Sequence, residues 1–523
     1  MELGDLDDLI DYEVADKAIP SISYVLFDRN DVLALRHSAQ AGRLPEDALF
    51  RIGSVSKTFA AVLAMRLVEQ GKLDLDADIA TYLPGFEPTN PHGGGPITLR
   101  RLLSHRSGLT REARDGGYLD DRGVSLATTV AGLALSTLKA PSDGSAYFYS
   151  NAGFAVIGRA IERVVARSYA EHLGQTLFGP LGLDDSAITI GRDDRARLAP
   201  AAMWTAAGGE YAAPLFDLGS APAGNITAPL VDVARWGQAL LRGGDGAVGD
   251  ETLKAMWSAA GPGPARGYGL GFQTDVLDGF RSVGHGGAVY GYSTAFTLLP
   301  EVGLGAAVVT TLDFTGELAA RLVRRALRTA LGARGLAKPP RPARRLPSAG
   351  GAMAGELAGR YLSDDGAAIE LWASGIRLIL QENGVPMEIR PIGQGRFVLD
   401  GRLQGEETTH PFPTAEIGDG IVRWKDRDWR RSADRNAAPP PQLAPHLGAY
   451  DPGFMPTSLS VSAGQLICRI ENLSPHVCEP LGDNRFLMHG PMYEREILTL
   501  GVLDERGRPA IRVGEMLLSK RDD

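Results

Sequence analysis

The chain has 523 residues, 44% of them hydrophobic and 22% charged, with a formal net charge of −9 at neutral pH. That length exceeds what one hydrophobic core supports, so several domains are expected. Negative charge spread along the chain argues against a nucleic-acid partner, no apolar run is long enough to span a membrane, and two cysteines, Cys468 and Cys478, cannot form a disulfide framework.

The first eight residues, Met1-Glu2-Leu3-Gly4-Asp5-Leu6-Asp7-Asp8, are acidic and lack the charged-then-apolar order of a secretory leader. A cytoplasmic location is therefore expected, or a periplasmic one if a leader has been removed. Ser21 to Ser38 reads as a hairpin, Ile22 to Phe27 and Val32 to Leu35 flanking the polar turn Asp28-Arg29-Asn30-Asp31. A second extended run, Ala48 to Gly53, leads into Ser54-Val55-Ser56-Lys57. A helix is then expected over Thr58 to Gln70, with Phe59, Val62, Leu63, Leu67 and Val68 at helical spacing and Gly71 as its C-cap.

Polar, turn-rich text follows from Leu73 to Pro96. Arg100 to Leu103 reads as a short helix, Val124 to Leu138 as another and Ala152 to Arg167 as a strongly periodic third. Strand patterns return at Arg281 to His285, Ser293 to Leu299 and Leu304 to Leu312, before a closing helix at Leu318 to Leu331. Strands at both ends with helices between them imply one α/β domain whose sheet is assembled from both ends of the segment.

The text from Lys338 to Arg345 is rich in proline and arginine, and beyond it short alternating segments replace helical periodicity. This region repeats. Tyr361 recurs as Tyr450, Pro391 as Pro480 and Phe397 as Phe486, each displaced by 89 positions. Two similar β modules are expected. The expected organisation is a hydrolase domain at 1–335, a linker at 336–352, a first module at 353–434, a Pro-rich linker at 435–443 and a second module at 444–523. The cysteines fall in the second module and read as small buried residues.

Ser54 and Lys57 are three apart, which places their side chains together on one face of a first helical turn, above the positive end of the helix dipole. Serine is a weak nucleophile, and an amine whose pKa is lowered by burial can take its proton. Ser-x-x-Lys is common by chance, so its company matters. Tyr149-Ser150-Asn151 stands directly before the Ala152 helix, and His285-Gly286-Gly287 ends a strand pattern.

In this order and at these separations, the three patterns resemble the motifs of the penicillin-binding and serine β-lactamase superfamily, in particular its class C-like branch. Leu102-Leu103-Ser104-His105-Arg106-Ser107-Gly108-Leu109, Pro180-Leu181-Gly182-Leu183 and Tyr268-Gly269-Leu270-Gly271-Phe272 also have counterparts there. The resemblance covers about residues 10 to 333.

It implies a β-lactamase-like α/β (α+β) domain followed by two small antiparallel β-barrel-like modules, an architecture most similar to that of D-aminopeptidases. Ser54 would be acylated, with Lys57 and Tyr149 as the activating pair, the phenol's pKa lowered by the ammonium. Asn151 would bind both the lysine and the substrate amide, and His285 would bind or orient substrate. Gly286 and Gly287 would let substrate lie along the strand. The N–H groups of Ser54 and Ala288 would form the oxyanion hole, where losing one donor typically costs about 3 kcal/mol. His105 is assigned to structure.

Two departures stand out. Asp143-Gly144 replaces the usual proline-glycine, and His285 replaces the lysine of the commoner third motif. No arginine clearly positioned to hold a substrate carboxylate can be picked out, Arg281 being nearest in sequence to the third motif.

The implied activity is hydrolysis of amide bonds in short peptides, with D- or non-standard residues, through an acyl-enzyme and without metal or cofactor. Enzymes that cleave linearised microcystin-type peptides are a similar possibility. The alternatives are a β-lactamase-like carboxylesterase, a DD-carboxypeptidase or an inactive penicillin-binding sensor. The expected partner is a short peptide substrate, with a homodimer allowed and neither nucleic acid nor membrane involved.

Overall fold

A computed structural model describes residues 4–522, apart from 192–193, 205–209, 259–266, 341–345, 365–367, 383–384, 401–413, 433–439, 463–464, 471–473, 491–492 and 494. Arg341 to Arg345 of the expected Pro/Arg linker, and the 435–439 part of the Pro-rich linker, lie outside the described residues. The chain forms two compact units, one of Met1–Met203 with Ala212–Pro342, the other of Trp204–Tyr211 with Ala343–Asp523.

The first unit is built on a seven-stranded antiparallel sheet. Its strands run, edge to edge, Val32–Ala39, Ser21–Asp28, Leu304–Thr310, Tyr292–Leu299, Phe280–Val289, Gln273–Leu277 and Gly267–Tyr268. The N-terminal hairpin thus joins the C-terminal strands, with Val25 opposite Ala307 and Ala295 opposite Val308. Every residue of Leu304–Thr310 is buried, so both sheet faces are covered there. Gly237 of the helix Leu230–Leu241 and Gly305 of the sheet both abut the Phe27 ring, where an added Cβ would come within 2.3 Å of it.

The helix Ser56–Glu69 is buried along most of its circumference, which suits a central element rather than a surface one. Phe59 stacks on Trp236 at 4.0 Å between ring centroids, and the Trp236 indole donates to Thr58 Oγ1 at 3.0 Å. Gly71, at φ +66°, ends this helix as its sequence requires.

Two expectations need adjusting. The helix read over Val124 to Leu138 spans only Leu126–Leu133, because Ser136 O and Leu138 N are taken by the backbone of Thr89. His285-Gly286-Gly287 lies within a strand rather than ending it, since Ala288 and Val289 continue the pairing with Ser293 and Tyr292.

The second unit contains the two repeats. Eight strands from Gly359–Leu362 to Arg427–Arg431 form a closed antiparallel barrel, sealed by Tyr361 pairing with Arg431. Tyr361, Leu371, Leu380, Phe397, Trp424 and Trp429 are among the side chains of its core. Eight further strands, from Gly448–Tyr450 to Met516–Ser519, follow the same order and are nearly closed by a bridge from Tyr450 to Lys520.

The landmarks of the repeat have matching jobs. The Tyr361 hydroxyl donates to Leu357 O at 2.8 Å and that of Tyr450 to His446 O at 2.6 Å, both four residues back. Pro391 and Pro480 each stand beside a register shift in the fourth strand, where a missing N–H is tolerated. Cys468 and Cys478 are buried, unbridged residues of the second barrel. Among the described residues no helix is long and apolar enough to cross a membrane.

Candidate active site

The site begins where the short strand Leu49–Arg51 turns into the helix Ser56–Glu69. Ser54 lies on the single 3-10 turn Gly53–Val55 that precedes the α-helix, one step earlier than its spacing predicts. Gly53 has φ +54°, and a Cβ there would stand 2.6 Å from Ala288 N. A Cβ on Gly287 would stand 2.1 Å from Ile52 O and 3.3 Å from Ser54 N. Both positions require glycine because the serine-bearing turn presses directly on the strand Phe280–Val289. Gly286 is different: its nearest neighbours to such a Cβ are 3.9 Å away, so the fold itself does not demand glycine there.

Lys57 is fully buried, and its Nζ lies 2.8 Å from Ser54 Oγ, 2.7 Å from Asn151 Oδ1 and 2.8 Å from Ala223 O. None of these three oxygens carries a charge. Burial therefore holds the amine well below the usual lysine range; the field of Glu112 opposes this and that of Arg111 adds to it. The Tyr149 hydroxyl donates to the same Ser54 Oγ at 2.9 Å. Its phenol departs from the expectation of a lowered pKa. Burial drives it upward, outweighing the hydrogen bond to Ser54 and the attraction of Arg111.

The loop carrying Tyr149 is held from the segment that starts at Ser104. His105 adopts φ +57°, its carbonyl accepts from Phe148 N at 2.8 Å, and its Nδ1 accepts from Ser150 N at 3.1 Å. Its ring lies 4.2 Å from the Tyr149 ring, centroid to centroid, in keeping with a structural assignment. Ser150 caps the helix Asn151–Val165, accepting from Gly153 N at 2.8 Å and donating to Thr110 O at 2.6 Å.

Asn151 turns its Oδ1 to Lys57 and its Nδ2 to Glu112 Oε1 at 2.5 Å, so one amide hydrogen is already spent within the protein. Arg111 O accepts from the N–H groups of Asn151 and Ala152, and the Arg111 guanidinium lies 5.1 Å over the Tyr149 ring.

His285 does not offer the substrate an exposed ring. It is 3% exposed; Tyr268 OH donates to its Nε2 at 2.8 Å, and its Nδ1 lies 2.5 Å from Gly286 O. Burial, with the nearby Lys57, lowers its pKa to about 3, so it is neutral at physiological pH and is no electrostatic substitute for the usual lysine. Arg281 donates to Trp257 O. Gly286 N–H donates to Gln273 Oε1 at 3.1 Å along the strand's outer edge, and the backbone alternation turns the N–H of exposed Ala288 to that same edge. Among the described residues no cluster of three or more His, Cys, Asp or Glu side chains converges as a metal site would require.

Ser54, Lys57, Tyr149 and Asn151 are thus joined by hydrogen bonds, with Gly287 and Ala288 packed against the serine turn. Arg111, Glu112, the Ala223 carbonyl, Tyr268 and Gln273 are neighbours that the sequence reading did not single out as site residues. The charged pair Arg111-Glu112, one residue beyond Ser107-Gly108-Leu109 and between two of the motifs, is the sequence signal for these two residues.

The fold and this constellation define a serine hydrolase. The Beta-lactamase family profile matches residues 6–331, and the chain belongs to that family. Penicillin-binding protein 4 of Amycolatopsis lactamdurans is 29% identical over 315 residues, covering 56% of this chain and 81% of that protein. The octameric penicillin-binding protein homologue from Pyrococcus abyssi superposes with a TM-score of 0.58 at 21% identity, over 82% of this chain and all (100%) of that one. A D-stereospecific amidohydrolase from Streptomyces sp. superposes with a TM-score of 0.54 at 24% identity, over 62% of this chain and 98% of that one.

Proposed function

We propose that this protein hydrolyses amide bonds of short peptides, with D- or non-standard residues among its substrates, through an acyl-enzyme on Ser54. The observation that carries the reading is the pair of contacts on Ser54 Oγ, Lys57 Nζ at 2.8 Å and Tyr149 OH at 2.9 Å. A neutral amine has two hydrogens and one lone pair. Asn151 Oδ1 and Ala223 O can only accept, so they take the hydrogens and leave the lone pair facing the Ser54 hydroxyl. Lys57 is then the base that receives the serine proton as Oγ attacks the carbonyl carbon. Tyr149, kept protonated by burial, is the acid that passes its proton to the leaving nitrogen; the Lys57 ammonium, which holds the former serine proton, then reprotonates the phenolate.

The carbonyl oxygen sits between the N–H groups of Ser54 and Ala288. Small residues at Gly286 and Ala288 leave room for substrate backbone along the strand edge. A neutral His285 gives no cation for a carboxylate at the third motif, which favours amide or blocked substrates over a DD-carboxypeptidase or β-lactam reaction. The likeness to a D-stereospecific amidohydrolase supports the amide and D-residue parts of the proposal. Assembly into a homodimer or larger oligomer is included in it, and light scattering on the purified chain tests that separately.

A matched set of D- and L-amino-acid amides, p-nitroanilides and p-nitrophenyl esters, with free and blocked termini, tests the reading. Release of amine from amides by wild type and not by Ser54→Ala is the expected result. Turnover confined to esters would replace it with a carboxylesterase.

A further inference from the structure

The lone pair of Lys57 faces Ser54 only while Asn151 presents its oxygen, not its nitrogen, to the lysine. The amide of asparagine is nearly symmetric in shape, so something must choose between its two orientations. Glu112 is 3% exposed, and both of its oxygens face N–H groups: Asn151 Nδ2 at 2.5 Å from Oε1 and Tyr118 N at 3.2 Å from Oε2. Arg111 Nε is 3.7 Å from Oε1. Burial raises the Glu112 pKa, opposed by Arg111, the Asn151 hydrogen bond, Lys57 and the Tyr118 N–H; in its carboxylate form it is an acceptor on both sides and tolerates only the nitrogen end of Asn151.

We infer that Glu112 is a positioning residue for the reaction: it locks the Asn151 amide with Oδ1 toward Lys57, and so fixes which lysine orbital meets the Ser54 hydroxyl. The chain from Glu112 through Asn151 and Lys57 to Ser54 is continuous, with contacts of 2.5, 2.7 and 2.8 Å. Without Glu112 the amide is free to turn. Its NH2 group would then face Lys57, the amine would spend its lone pair on that donor, and the serine proton would have no acceptor. The inference rests on Lys57 being the base.

Titratable groups around Lys57 are Glu112, Arg111, Tyr149, His105 and His285, and among them the Glu112 carboxylate raises the lysine's proton affinity. Removing that charge shifts the acidic limb of the rate profile to lower pH, a readout that a purely structural residue would leave in place.

The test uses p-nitrophenyl acetate hydrolysis by the full chain across pH. Glu112→Gln, which can still offer an oxygen to Asn151, should keep kcat within about tenfold with its acidic limb moved down. Glu112→Ala should lose about 100-fold or more in kcat. Because alanine at a buried site can prevent folding, the reciprocal pair is measured too. Asn151→Asp sets a second carboxylate against Glu112 and also raises the proton affinity of Lys57, so activity is compared on the alkaline plateau of each profile, where adding Glu112→Gln should restore at least about tenfold by reversing the donor.

Wild-type kcat in Glu112→Ala, equal losses in folded Glu112→Gln and Glu112→Ala, or no restoration in the double variant would overturn the inference. Lys57→Ala separates its failure from that of the parent reading. Full phosphonylation of Ser54 by a fluorophosphonate in that variant would remove Lys57 as the base, whereas a dead Lys57→Ala beside an indifferent Glu112→Ala removes only the Glu112 assignment.

Discussion

Lys57 of the hydrolase unit and Arg390 of the first barrel are both fully buried basic side chains, in opposite surroundings. Arg390 lies 2.8 Å from Glu388 and 2.6 Å from Asp400, themselves buried, and donates to Leu346 O. Lys57 touches neutral oxygens, and its nearest carboxylate reaches it through an amide. The barrel neutralises the charge it buries. The site withholds direct neutralisation, and a depressed amine pKa follows, which is what a base working near neutrality needs. The second barrel carries Val477, Glu479 and His489 at the positions 89 beyond Glu388, Arg390 and Asp400, so the buried triad belongs to one module. Its polar remnant, Glu479 with His489 at 2.8 Å, lies on the exterior.

The largest effects should come from the site. Ser54→Ala is expected to lower amide turnover by about 10⁴-fold or more, an effect of about 5.5 kcal/mol on the barrier, with an unchanged melting temperature. Lys57→Met should be nearly as inactive, yet its unfolding free energy should equal or exceed that of wild type, because it removes an amine that burial forces to give up its proton and that has no direct counter-ion. A large loss of stability in Lys57→Met would show that the lysine is structural. Tyr149→Phe should cost about 100-fold or more in kcat. Combined with Lys57→Met it should add little, since residues acting as a unit are not additive.

Arg390→Met should behave the other way. It leaves Glu388 and Asp400 buried together without their cation, and a loss of about 3–5 kcal/mol in unfolding free energy is expected, read from urea denaturation of the second unit. A loss below about 1 kcal/mol would erase the contrast between the two clusters.

A smaller effect lies in pH. Lys57 has a folded pKa below its unfolded value of about 10.5. Between the two, the unfolded chain binds the extra proton, so stability rises with pH across that window. The rise should be absent from Lys57→Met, and kcat/KM of wild type should fall as pH drops through the folded value. A wild-type kcat/KM with no acidic limb at any pH where the protein stays folded would contradict a lysine base.

How much of this was legible beforehand depends on how local each feature is. Ser54, Lys57, Tyr149 and Asn151 could be read because each lies at a helix start, where short spacing dictates which side chains meet. The two barrels were legible because Tyr361 and Tyr450, Pro391 and Pro480, and Phe397 and Phe486 do the same work twice, so register and turn constraints left the same marks. Glu112 was not legible in its role. It meets Asn151 from 39 positions away, through a loop with no periodicity. The phenol of Tyr149 was misjudged because spacing reports neighbours and says nothing of burial, and burial outweighs the attraction of nearby cations. The neutral state of His285 depends likewise on burial and on the nearby Lys57.

The mildest expected effect concerns the barrels. The first unit holds a complete sheet and its covering helices, enough core to fold without the second. Among the described residues, Tyr361, Phe397, Trp424 and Trp429 pack together inside the first barrel. We propose that the modules restrict which substrates reach Ser54, favouring short peptides with one free end. A chain ended after Gly335 should then label with a fluorophosphonate as fast as the full protein. Its preference for short over long or blocked peptide amides should fall by about tenfold, or about 1.4 kcal/mol in the ratio of kcat/KM values. Equal labelling with an unchanged preference would assign the modules to assembly instead. That outcome would show as a change in oligomeric state between the full and shortened chains.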